Sequence, residues 1–169
     1  GTFYSDGSRR SATSASNDLI QGYWAGQGTH RGVVLFNGTA QSGETSRTIG
    51  QALSGATIHR IELRLYINHT GRSSGTRLYV GNAGLSSLPS TLPSSVQGYE
   101  VRPPSGKVGA GNMYWFNLPT SMFDGTNRGV IIGNLEQGIV NPEFYARING
   151  HNKSGPTYYR PAVRITYSR

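Results

Sequence analysis

The chain has 169 residues, and its 16 Lys and Arg against eight Asp and Glu give a net charge of +8. Gly, Ser, Thr and Asn make up 68 of the residues, and because all four favour turns over helix interiors, the composition excludes a long helical bundle. Ten Tyr, five Phe and two Trp exclude a disordered chain, and the absence of cysteine excludes disulfides, thiolate metal sites and cysteine nucleophiles.

The start of the chain is polar, and its apolar runs are short throughout. Residues 1–20 contain one aromatic pair, Phe3 and Tyr4, and are predicted to form an N-terminal tether or an edge strand. Residues 21–169 are predicted to form a single domain. No apolar stretch approaches the roughly 20 residues of a membrane span, which predicts a soluble chain without membrane insertion.

Two short elements are predicted next along the chain. The run VVLF at 33–36 ends at an Asn-Gly turn and indicates a buried strand. Within residues 41–55, the i, i+4 spacing of Ile49 and Leu53 permits one or two helical turns.

The clearest pattern is at residues 56–68, ATIHRIELRLYIN, where apolar and polar residues alternate. This period of two predicts a long antiparallel strand with one face on the core. Residues 76–80 alternate in the same sense, so the two segments are predicted to pair as a hairpin with a long loop.

The second half of the chain adds only short strands. Residues 84–112 are rich in Ser, Pro and Gly, which disfavours long regular strands there. Four later runs are rich in β-branched and aromatic residues and are bounded by turn residues: 114–118, 129–133, 144–148 and 162–167. The chain is therefore predicted to be all-β, a two-sheet antiparallel sandwich, jelly-roll-like, with at most one short helix.

Several segments resemble a known kind of domain. The run SGATIHRIELRLY (54–66) is similar to the signature strand of DNRLRE-type β-sandwich domains. The order of QGYW (21–24), THRGVVLF (29–36), SGATI (54–58) and YRPAVRITY (159–167) resembles the C-terminal, adhesion-type domain of minor tail proteins from phages of actinobacteria. Residues 84–112 match no part of that pattern, and Asn37 stands where an acidic residue often follows the first strand.

The resemblance implies a place and a role. It implies a jelly-roll-like domain carried on a virion tail, acting outside the host cell as an adhesion or structural module. It brings no catalytic residues. Other tail subunits are implied as partners, and many such domains form trimers, so a homo-oligomer is expected.

Catalytic and metal chemistry find little support in the residues. Glu100, Glu136 and Glu143 lie near predicted strand ends, where a glycosidase pair could form, but isolated exposed acids are the simpler interpretation. No nucleophile elbow is present, and none of the four His is spaced as a metal ligand pair. The sequence predicts no enzyme, no cofactor and no metal site, although loop oxygens leave a calcium site open.

Sugar binding has a better basis, because sugar sites combine a flat aromatic ring with planar hydrogen-bonding groups. Trp115, between two aromatic residues, is expected in the core rather than at a ligand. The candidate ligand-binding residues are aromatic and basic residues of three segments: Tyr23, Trp24, His69, Arg72, Lys153, Tyr158, Tyr159 and Arg160. The loops at 69–75 and 151–156 are predicted to form the rim of such a site.

The basic excess points to an anionic partner. Nucleic acid is not expected, because the basic residues are dispersed and no nucleic-acid motif is present. A bacterial envelope also carries phosphate and carboxylate polymers that would attract a positive domain. Arg60, Arg64 and Arg77 are expected only to solvate the outer face of a sheet.

The sequence therefore predicts a phage tail domain, in the fibre or tip, that mediates host attachment. Its ligand would be a host cell-surface glycan or an anionic cell-wall polymer, bound through weak, multivalent contacts. The alternative is a structural domain, trimer-forming or capping, without a ligand of its own, and a glycan-cleaving enzyme comes third.

Overall fold

The computed structural model describes residues 1–10, 18–24, 26–37, 47–101, 106–123, 127–135, 142–151, 156 and 159–169. The described residues form ten β-strands: β1 (Thr2–Tyr4), β2 (Asp18–Trp24), β3 (Gly28–Leu35), β4 (Thr57–Thr70), β5 (Leu78–Asn82), β6 (Tyr99–Val101), β7 (Asn112–Leu118), β8 (Gly129–Ile132), β9 (Ala146–Asn149) and β10 (Ala162–Ser168). They also form one five-residue helix, α1 (Ile49–Leu53), and two 3-10 turns, Thr120–Met122 and Pro142–Phe144. The prediction of an all-β chain with one short helix is confirmed.

The strands form one antiparallel sheet that curls like half a barrel. Its order is β10-β4-β9-β2-β3-β8-β5-β6, with β1 added beside β3 and β7 beside β4. The predicted two-sheet, jelly-roll-like sandwich is not confirmed, because hydrogen bonding continues through β2 from one half of the sheet to the other. Residues 18–21 of β2 pair with β9, and residues 22–24 pair with β3.

The change of partner in β2 falls at Gly22. Its φ of 79° lies in the left-handed region, and a β-carbon there would collide with the carbonyl oxygen of Phe144. Only glycine meets both conditions without strain. Near this junction the carboxylate of Asp18 accepts a 3.1 Å hydrogen bond from Nε of Arg147, and Asn68 donates to both Asp18 and Asn149. These contacts connect β2, β4 and β9.

The main core fills the inside of the curl. The predicted long strand is confirmed as β4, whose alternate residues enter this core together with Phe116 of β7 and Val80 of β5. Helix α1 contributes Leu53. Its N-terminus is closed by a capping box between Thr48 and Gln51.

A second, smaller core lies on the outside of the sheet over β3 and β8. Val33 and Ile131 point away from the main core and pack with Phe3 of β1 and with Leu92, which lies in the loop region between β5 and β6. Arg31 of β3 is fully buried under this layer. Its guanidinium donates to the carbonyl oxygens of Leu92, Pro93 and Val96 at 3.4, 2.8 and 2.6 Å. Burial lowers the pKa of Arg31, and the carbonyl oxygens replace the water that its charge has lost.

The predicted hairpin between residues 56–68 and 76–80 is wrong. Strand β5 pairs with β6 and β8, whereas the two edges of β4 are occupied by β7 on one side and by β10 and β9 on the other. The chain turns away at Gly75, whose φ is 90°, and Thr76 then pairs with Val108. A loop of this length does not fix the next partner as a two-residue turn would.

The segment predicted as a tether or an edge strand divides between two elements. Thr2–Tyr4 pairs with the outer edge of β3, and Asp18 already begins β2. Residues 11–17 lie outside the described residues.

Candidate binding face

The outer surface of β10, β4 and β7 is not covered by an apolar layer in the described part of the chain. Because Ile61, Leu63, Leu65 and Ile67 enter the core, the intervening side chains of β4 point outward. Pairing places Glu62 between Asn117 and Arg164, and Arg64 opposite Trp115. We call this surface the arginine face and define it by eight residues: Arg60, Glu62, Arg64, Tyr66, Met113, Trp115, Asn117 and Arg164.

Trp115 lies at the centre of the arginine face. The guanidinium carbon of Arg164 is 4.3 Å from the centroid of its ring, and that of Arg64 is 5.6 Å away. These are cation–π distances, and each such contact contributes roughly 0.5 to 2 kcal/mol. The expectation that Trp115 is a core residue is wrong, because the alternation of β7 sends Phe116 inward and leaves Trp115 half-buried on the outside.

Glu62 holds two of the arginines in place. One of its carboxylate oxygens lies 2.9 Å from Nη2 of Arg60, and the other lies 3.5 Å from Nη1 of Arg164. Nε of Arg60 also donates to Oδ1 of Asn117 at 3.2 Å. The Arg60 and Arg164 side chains stay 57% and 61% exposed, whereas Glu62 is only 10% exposed. Three arginines and one glutamate leave this group a net charge of +2, with the positive part outermost.

Arg64 is the most enclosed arginine of the three. Its Nη2 donates to the backbone carbonyl of Arg160 at 3.3 Å. Burial, and then the nearby charge of Arg164, lower the pKa of Arg64. A guanidinium stays protonated at neutral pH despite such a shift, so Arg64 keeps its charge.

Aromatic and apolar side chains occupy the end of the arginine face nearest Tyr66. The rings of Tyr66 and Tyr159 pack with their centroids 4.4 Å apart. Met113, opposite Tyr66 on β7, is 42% exposed. Tyr159, one of the residues chosen from the sequence, thus borders the arginine face through a ring contact, and Arg160 borders it through its backbone carbonyl.

The other residues chosen from the sequence lie elsewhere or outside the described part. Tyr23 is half-buried in β2, and Trp24 belongs to the same strand by its backbone. His69 and Arg72 are exposed near the end of β4, where the His69 ring lies 5.8 Å from that of Tyr145. Lys153 and Tyr158 lie outside the described residues, as does much of the loop predicted to form a rim with residues 69–75.

Sequence reasoning missed the central residues of the arginine face. It assigned Arg60 and Arg64 only to solvation and did not connect them with Trp115, because the pairing of β7 with β4 joins segments about fifty residues apart. One signal was present in the alternation, which placed the charges of β4 on one outer face. Arg77, grouped with them, instead lies over the Phe144 ring.

The described residues contain neither a metal-ligand cluster nor a membrane-spanning helix. Within those ranges, no three His, Cys, Asp or Glu side chains come together as a metal site would require. None of the helices found there is long and apolar enough to cross a membrane.

No model of a known protein family matches the chain, and no curated protein matches it.

Proposed function

We propose that the chain is an attachment domain of a phage tail, in its fibre or tip, that binds polymers of the host cell envelope through the arginine face. One observation carries the proposal: outward-pointing guanidiniums are positioned by Trp115 and Glu62 on a surface that the described chain leaves open. A role in attachment requires no catalytic residues, and it places the domain on the virion, outside the host cell.

The arrangement of charge supports a binding role over simple solvation. Arginines that only solvate a sheet need no fixed partners, yet Arg60 and Arg164 each contact Glu62, and Arg164 also lies on Trp115. Fixed side chains lose less conformational entropy when a ligand binds. The domain-level charge of +8 would attract an anionic envelope over about a Debye length.

A pull-down on purified cell walls from a panel of actinobacteria tests the proposal. We expect the wild-type domain to bind at least one wall, and Arg164→Gln to bind it less. Arg9→Gln is the matched control, because it removes the same single charge from an exposed residue near β1, in the other half of the sheet. Trp24→Ala tests the segment chosen from the sequence. Failure of the folded domain to bind any wall would contradict the proposal.

A second candidate is a structural, trimer-forming domain with no ligand of its own. In the described residues β7 and β10 each pair only with β4, on opposite sides of it, so each has one edge without a strand partner there, and β7 also carries the exposed Met113. Edges of this kind can pair with another copy or with other tail subunits. Light scattering separates the two candidates: a trimer that binds no wall favours the structural role, and a monomer that binds walls excludes it.

A further inference from the structure

We infer that the arginine face recognises the oxyanions of its polymer, phosphate or carboxylate groups, and not sugar rings or bases stacked on its aromatic side chains. The inference rests on the proposed function and narrows its ligand class. Arg60 and Arg164 donate to the ligand, and Trp115 and Glu62 are positioning residues.

The aromatic rings of the arginine face are already in contact with protein side chains. The Arg164 guanidinium lies 4.3 Å from the Trp115 centroid, so a sugar that stacked on that side of the ring would have to displace it. Tyr66 is already packed against Tyr159 at 4.4 Å. Single-stranded nucleic acid binds largely by stacking its bases on open rings, and these rings are occupied by protein side chains.

The exposed arginines keep hydrogen-bond donors for a ligand. A guanidinium has five N–H donors. The contacts of Arg60 with Asn117 and Glu62, and of Arg164 with Glu62, use only part of that number. Both arginine side chains are more than half exposed, so N–H groups on their outer side can reach a ligand. The planar fork of arginine matches the two oxygens of a carboxylate or a phosphate.

The arginines of this face are spaced along the strands. Arg60 and Arg64 point to the same side of β4 and are four residues apart, which is about 13 Å along a strand. Arg164 lies between these levels on the adjacent strand, opposite Glu62. The two donating guanidiniums, of Arg60 and Arg164, therefore lie at different levels along the sheet, which suits a linear polymer with repeated charges, because several weak contacts to one chain increase the overall affinity.

Binding of the intact domain to four labelled polymers tests the inference: polyphosphate, poly-glutamate, dextran and single-stranded DNA. We expect binding to polyphosphate, to poly-glutamate or to both, and none to dextran. The first two polymers distinguish phosphate from carboxylate. Arg164→Gln and Arg60→Gln should each weaken this binding about tenfold, the effect of one charge-assisted contact. Arg9→Gln should change it less than about twofold, because that charge is distant and screened.

Four results would overturn the inference. The first is binding to dextran that Trp115→Ala abolishes, and the second is equal weakening of polymer binding by Arg9→Gln and Arg164→Gln. The third is tighter binding of DNA than of polyphosphate or poly-glutamate. The fourth is binding to cell walls without binding to polyphosphate or poly-glutamate. None of these four results contradicts the proposed function, because the wall pull-down tests that function separately. Failure of the folded wild-type domain to bind any wall contradicts it.

A competition experiment does not depend on the folding of any variant. Excess unlabelled polyphosphate or poly-glutamate should release the wild-type domain from cell walls, and the same mass of dextran should not. Release by dextran alone would identify a neutral sugar as the ligand.

Discussion

The two outer faces of the curled sheet differ in what covers them. Over β3 and β8, a second apolar layer that includes Leu92 buries Val33, Ile131 and the charge of Arg31. Over β4 and β7 no such layer covers the described residues: Arg60 and Arg164 stay exposed, both contact Glu62, and Arg164 also lies on Trp115. The difference originates in the strands, because the outer sides of β3 and β8 carry aliphatic residues beside Arg31, whereas the outer side of β4 carries Arg60, Glu62 and Arg64.

The same residue type therefore has two roles in one molecule. Arg31 is held by three carbonyl oxygens and contacts no solvent. Arg164 is held by one carboxylate and one ring and keeps most of its surface exposed. The first arrangement stabilises the fold, and the second positions a charge for contact with another molecule.

The largest expected effect is on the covered face. Arg31→Met should lower the free energy of unfolding by about 3 to 4 kcal/mol, because three carbonyl oxygens lose their donor under an apolar layer. Denaturant unfolding followed by circular dichroism measures it. Arg31→Lys should recover only part of the loss, since a single ammonium group cannot reach all three oxygens. A change below about 1 kcal/mol for Arg31→Met would mean that the guanidinium does not hold this layer.

The next largest expected effect is a loss of stability at low pH that is caused by His30, which also lies in β3. Burial, and then the charge of Arg10, lower the pKa of His30 to about 4 from 6.5. Between these pH values the unfolded chain binds a proton that the folded chain does not, so stability should fall as pH decreases from about 6.5 to 4. The loss should approach about 3 kcal/mol. In His30→Gln this fall in stability should be absent. Denaturant unfolding of the wild type and of the variant at several pH values measures the difference. An equal fall in stability in the wild type and in His30→Gln would contradict a histidine that is buried and neutral in the folded state.

On the open face, Trp115→Ala should affect binding more than folding. We expect a loss of about 1 to 2 kcal/mol in unfolding free energy, because the ring is half-buried and supports Arg164 and Arg64. Polymer binding should weaken as much as in Arg164→Gln. Trp115→Phe keeps an aromatic ring under the guanidinium and should retain most of the binding. Full binding by the folded alanine variant would show that the ring does not position the arginines.

The smallest expected effect on stability is that of Arg164→Met, the counterpart of Arg31→Met. Its contacts are exposed, so the unfolding free energy should change by less than about 1 kcal/mol. Thermal unfolding of both methionine variants compares the two faces directly. Equal destabilisation by the two substitutions would remove the distinction between a structural and a presented arginine.

Local patterns predicted the elements well, and pairing between distant segments limited the rest. The alternation in residues 56–68 predicted β4 and its polar outer face, and Ile49 and Leu53 predicted the helix. The wrong hairpin arose because the sequence contains no local signal for the partner of β5.

The candidate site depended on that same missing information. Trp115 meets Arg164 and Arg64 only through the pairing of three strands that are far apart in the sequence. Burial of Arg31 depends likewise on carbonyl oxygens more than sixty residues away. The alternation in β4 indicated only the outward side of Arg60 and Arg64, and no local pattern indicated their contact with Trp115 or the burial of Arg31.

The shared strand β2 has a consequence for how the domain unfolds. Because its first residues pair with β9 and its last residues with β3, neither half of the sheet can lose β2 without breaking hydrogen bonds in both. Backbone amides of β9 and β8 should therefore exchange with deuterium at similar rates under native conditions, as members of one cooperative unit. The arginine face and the covered face differ in composition, yet their strands would then unfold together in one cooperative step.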